Sequence, residues 1–207
     1  MKHQVQITNK TTIYAVVTVM VLLGFLAVFW NINIAPSPLK KGTSQNSSPT
    51  KNENANDPLY PKFQLLSTQG NSSCSQDFRT SILSMPDDKR LQGSCCSPMV
   101  FSKYKEQVAG LKKFTDVPEI PSDPYDISAS LAKKLLEYDT SITPTADEQK
   151  VLDKAVADSP EKGYCCCKCW RWYVYEGLSK YLVREKHFTA EQITDILANS
   201  DGCGGST

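Results

Sequence analysis

The chain has 207 residues, 22% of them charged and 40% hydrophobic, which is enough for one ordinary domain with an appendage and too few for two large ones. Its 23 basic and 22 acidic residues give a formal net charge of +1, so the basic footprint of a nucleic-acid binder is missing. Eight cysteines, by contrast, are far more than packing requires, because a buried structural cysteine needs no like neighbours.

Residues 1–12 read as a short basic cytoplasmic tail carrying Lys2 and Lys10. Ile13 to Trp30 is an uncharged run of 18 residues, extended by Asn31 to Ala35 as interface, and it predicts a transmembrane signal-anchor over 13–35. A cleaved signal peptide has a shorter apolar region and a small-x-small site, of which Asn33-Ile34-Ala35 is a poor version. Basic residues precede the helix directly and return only at Lys40, so the expected topology is a single-pass membrane protein with its main domain outside the cytoplasm. Residues 36–58 are rich in Pro, Ser, Asn, Lys and Thr without apolar period. They predict a disordered linker with a reach on the order of 25 Å.

Residues 59–207 read as a small cysteine-rich helical domain, and the fold class expected is all-α. Ser97-Pro98 opens a helix in which Phe101, Tyr104, Val108 and Leu111 recur at helical spacing to about Lys113. Three prolines between Val117 and Pro124 then forbid regular structure. A second helix carries Ile127, Leu131, Leu135 and Tyr138 on one face. A third starts near Thr143-Pro144 or at the capping box Thr145 to Glu148 and stops before Pro160. The fourth is expected to begin near Cys165, with Cys166, Cys169 or Trp170, Tyr173, Gly177 and Tyr181 as one stripe that Val174, Leu178 and Leu182 widen. The last is capped by Thr189 with Gln192 and ends at Asn199 before a glycine-rich stop.

Within Tyr164-Cys165-Cys166-Cys167-Lys168-Cys169-Trp170, four thiols occupy five residues. If this segment is helical, neighbouring side chains point about 100° apart, so a full set of four long-range disulfides is harder to build than one or two. The same helix would set Cys165 and Cys169, or Cys166 and Cys169, on one face as a ligand pair. Cys95 and Cys96 stand just ahead of the expected helix start at Ser97, where free amides favour thiolate, and Cys203 lies in a glycine loop able to close over a site. The candidate metal ligands are therefore Cys95, Cys96, Cys165, Cys166, Cys169 and Cys203, and soft thiolates select copper or zinc over magnesium or calcium. Met99 reads as a core residue and His187 as an exposed helix-end residue.

No catalytic residues are assigned. Cys166-Cys167-Lys168-Cys169 has a thioredoxin-like spacing, but the strand-helix-strand context is absent, and Trp170 stands where covalent haem attachment needs histidine. Three classes remain open: a soft-metal-binding module, a disulfide-stabilised domain that binds a protein partner, and a thiol-disulfide oxidoreductase. Pro160 to Cys169 resembles the Pro-Cys-Tyr-Cys-Gly-Cys-Gly cluster of membrane-anchored bacterial proteins, which also follows a proline and precedes helices. Cys166 stands in place of the tyrosine, and Lys168 and Trp170 in place of glycines. That family has no established activity, so the resemblance implies only an anchored cysteine-cluster protein.

Overall fold

The computed structural model describes residues 56–204. The predicted tail, the anchor over 13–35 and nearly all of the linker lie outside the described residues. Among those described, no helix is long and apolar enough to cross a membrane.

Seven helices and one small sheet make up the described part: α1 Tyr60–Thr68, α2 Asp77–Ser84, β1 Arg90–Gln92, α3 Phe101–Leu111, β2 Asp126–Ser128, α4 Ala129–Ser141, α5 Ala146–Asp158, α6 Trp170–Lys186 and α7 Ala190–Asn199. The all-α expectation holds for the helical bulk and misses the two strands, which pair antiparallel with Leu91 opposite Ile127. Three-residue strands leave no room for the alternation by which a sheet announces itself in sequence. Both α1 and α2 also went unread, being short and only weakly amphipathic.

Where local chemistry is strong, it places elements correctly. Thr145 and Glu148 form a reciprocal capping box at the start of α5, and Thr189 and Gln192 form another at α7. Ile127, expected in a helix, sits instead in β2, because Ser128 takes the N-cap position of α4 and accepts from the Leu131 amide.

α4 and α6 form the most extensive helix pair of the core. They approach closely because Gly177 has no side chain; a Cβ there would collide with the Leu135 carbonyl oxygen. Tyr138 and Tyr181 stack across the same seam at 4.7 Å. The buried face of α6 includes Trp170, Val174, Gly177, Leu178 and Leu182 as expected and adds Arg171 and Tyr175, while Tyr173 and Tyr181, expected at the centre of the stripe, lie at its partly exposed margin. A smaller core of Leu66, Met99, Phe101, Tyr104 and Tyr125 joins α1 to α3, and Met99 is a core residue as expected.

Candidate metal centre

The cysteines meet where three chain segments converge. The first is clipped to β1 by Asn71: its amide Nδ2 donates to the Arg90 carbonyl at 2.9 Å, its Oδ1 accepts from the Gln92 amide at 2.7 Å, and its own amide donates to the Gln92 carbonyl. Cys74 follows and donates through its thiol to the Cys95 carbonyl at 2.8 Å. The crossing is tight. Gly93 has φ +79°, and a Cβ on it would lie 2.6 Å from Gly70 Cα and 2.7 Å from the Leu66 carbonyl oxygen.

The second segment, Cys95 to Val100, is held by the C-terminal residues. The Cys95 amide donates to Gly202 O, the Ser97 amide and hydroxyl both donate to Cys203 O at 2.8 and 2.7 Å, and the Val100 amide donates to Gly204 O. This corrects the expected helix start. The Ser97 amide and hydroxyl are both turned to Cys203, Val100 takes the N-cap position, and α3 begins only at Phe101. Cys95 and Cys96 are accordingly not at a helix N-terminus. Asp201 is fixed in turn: its carbonyl accepts from the buried Gln107 side chain at 2.6 Å and its Oδ1 from the Cys203 amide at 2.9 Å.

The third segment is the cluster itself, and it is not helical. From Lys162 to Cys169 the backbone runs as successive bends, with Lys162 left-handed at φ 50° and Cys169 extended at φ −85°, ψ −170°. Ser159 closes the loop's base by accepting from the Gly163 amide and donating to its carbonyl, and the Tyr164 ring meets Trp172 edge-on at 5.6 Å. The consequence for chemistry is direct: α-helical geometry would fan the sulfurs about 100° apart, whereas bends let them point toward one place. Cys169 takes the N-cap position of α6, so the cysteine at a helix N-terminus is Cys169 and not Cys95 or Cys96.

All six predicted ligands are brought together. Cys96 Sγ lies 3.6 Å from Cys95 Sγ and 3.6 Å from Cys166 Sγ, and Cys165 Sγ lies 3.6 Å from Cys203 Sγ. Cys166 and Cys203 are joined as a disulfide, and the other six cysteines are free thiols. Two further residues belong to the cluster that the sequence reading left out, Cys74 and Cys167; Cys74 Sγ is 3.0 Å from Cys96 Sγ. The even number of cysteines was the signal that all eight act together.

Cys165, Cys169 and Cys203 form a buried floor, and Cys96 and Cys166 form an exposed rim, so the site opens to solvent on one side. The thiols are electrostatically unequal. Hydrogen bonds from Cys165 and Cys95, reinforced by the Arg171 backbone N–H, hold Cys169 far below the ordinary thiol range. Cys95, half-buried, and Cys165, buried, both donate to it and are pushed up in consequence. Burial and the charge at Cys169 raise Cys167 to about 12. Hydrogen bonding within the cluster thus favours negative charge at Cys169 over its neighbours.

Met99 and His187 stay outside the site. His187 caps the far end of α6 in a left-handed conformation, roughly 26 Å along the helix from Trp170. The aromatic surround is arginine-stacked: Arg171 lies 4.6 Å over the Trp170 ring, and Arg79 from α2 lies 4.1 Å over Tyr173. No family model, no curated protein and no solved structure matches this chain.

Proposed function

We propose that this domain binds a soft metal ion, copper or zinc, through its cysteine cluster, and that the uncharged run Ile13 to Trp30 anchors it to a membrane with the domain on the outer side. The observation that supports the metal reading is the composition and convergence of the cluster. Cysteines separated by more than 120 residues lie in overlapping groups of three, each with all its sulfurs within 4.8 Å of one another, and no histidine or carboxylate enters any of these groups. A donor set made only of sulfur selects soft cations.

The test is elemental analysis of the full-length chain purified under reducing, anaerobic conditions, combined with alkylation and mass mapping of its thiols. Stoichiometric copper or zinc is expected, and replacement of Cys166 and Cys169 together by serine should abolish uptake while preserving most of the helix content. The Cys166–Cys203 bond favours one other reading, a disulfide-stabilised domain that binds a protein partner. That reading predicts no stoichiometric metal and all eight cysteines in defined bridges. The anchor is tested separately, by whether the intact chain sediments with membranes and whether an Ile13 to Trp30 deletion frees it.

A further inference from the structure

A single tetrahedral zinc uses four sulfurs at about 2.3 Å, with sulfur–sulfur edges of roughly 4 Å. Among the described residues the sulfurs come in threes: Cys74, Cys167 and Cys169; Cys74, Cys95 and Cys96; Cys96, Cys166 and Cys203; Cys165, Cys166 and Cys167. No group of four satisfies the same mutual distance. Three-sulfur groups of this size match the trigonal coordination that monovalent copper accepts from thiolates. The groups are also linked. Cys74, Cys96, Cys166 and Cys167 each belong to two of them, so the four triads close into a ring in which those four sulfurs are corners held in common. A sulfur common to two metal triads is a bridging thiolate.

We infer that the eight cysteines form one polynuclear cuprous-thiolate cluster, with up to four Cu(I) ions in the sulfur triads, bridged through Cys74, Cys96, Cys166 and Cys167. This rests on the soft-metal reading above and deepens it. Twelve Cu–S bonds to four ions displace at most eight thiol protons to solvent, one per cysteine, because each bridging sulfur makes two of the bonds, and no electron is transferred. The Cys166–Cys203 bond withholds two of the triads. Opening it takes two electrons and two protons from a dithiol, which becomes a disulfide as the two cysteine thiols are released. The rim position of Cys166 leaves that bond open to such a reductant, while the buried floor keeps water from the bound ions.

The experiment is anaerobic titration of the dithiol-reduced full-length chain with Cu(I), read by native mass spectrometry and by copper X-ray absorption. Three or four ions per chain, with a copper–copper scattering path, are expected. Keeping the Cys166–Cys203 bond intact should cut capacity to two or fewer. Saturation of the reduced chain at one ion, with four sulfurs and no copper–copper path, overturns the polynuclear cluster but leaves soft-metal binding standing. No bound ion overturns both. The positions make a second, independent discrimination: Cys74→Ser touches two triads and should lose about two ions, whereas Cys95→Ser touches one and should lose one. Equal losses from the two variants, each with helix content preserved by circular dichroism, would also overturn the shared-corner arrangement.

Discussion

The guanidinium of Arg171 donates from Nη2 to the carbonyl oxygen of Gly93 at 3.0 Å, across 78 residues of sequence. Nη1 donates to the Pro124 carbonyl as well, so one side chain at the start of α6 holds both the segment leading into Cys95 and the segment leading into β2. Arg171 is 0% exposed and, among the described residues, makes no ion pair with a carboxylate. The groups that favour its charge are the Tyr175 hydroxyl and the thiols of Cys95, Cys165 and Cys169. A buried cation without a carboxylate is costly, and the two carbonyl hydrogen bonds offset part of that cost. Arg171→Met should therefore destabilise the domain by about 3 kcal/mol, the scale of two hydrogen bonds from a charged donor. Arg171→Lys keeps the charge but cannot bridge two carbonyls, and should fall between. Urea unfolding of the three proteins checks the order.

The Cys166–Cys203 bridge closes a loop of 37 residues in sequence separation. In the chain-entropy account a loop of that length stabilises the oxidised domain by roughly 4 kcal/mol. Cys203→Ser should lower stability by about that amount under oxidising conditions and by much less in excess dithiol. Parallel denaturation curves with and without reductant read the difference directly.

Gly93 is the position where backbone conformation decides the site. Its φ of +79° and the 2.6 Å approach to Gly70 leave no place for a methyl group. Gly93→Ala should cost on the order of 2 kcal/mol through the left-handed conformation and the backbone collision. Because Cys95 and Cys96 follow two and three residues on, their alkylation should also become faster than in the parent at equal folded fraction.

Glu148 accepts from the Arg184 guanidinium at 2.7 Å and from the Thr145 amide at 2.7 Å, and these bonds hold its carboxyl down at about 2. A carboxylate with a depressed folded-state value contributes stability that is full above its unfolded value of 4.5 and is lost as pH falls toward 2. Glu148→Gln retains a capping acceptor without the charge. The melting temperatures of parent and variant should differ by a constant amount from pH 6 to 8, converge below pH 4.5, and coincide near pH 2.

What was legible in the sequence follows from where the determining interactions lie. The capping boxes at Thr145 and Thr189, and the proline-broken passage from Val117 to Pro124, are local chemistry, complete within a few residues, and they were read in place. The membership of six cysteines in one site was also legible, because sulfur in such density has few other uses. The false helix starts at Ser97 and Cys165 share one cause. Ser97 has every local mark of an N-cap, but its hydroxyl is claimed by Cys203, 106 residues away. Likewise the backbone of Cys165 to Cys169 is bent by a loop closed at Ser159 and packed on Trp172. Arg171 is the sharpest case. In sequence it is an arginine between two tryptophans on a helix, where solvent exposure is the rule; only the carbonyls of Gly93 and Pro124, together with a glycine at 202 that leaves room for the guanidinium, make a buried place for it. Residue types determined that the cysteines needed partners, and the tertiary structure decided which, because sulfur–sulfur distances are set by hydrogen bonds between segments far apart in the chain.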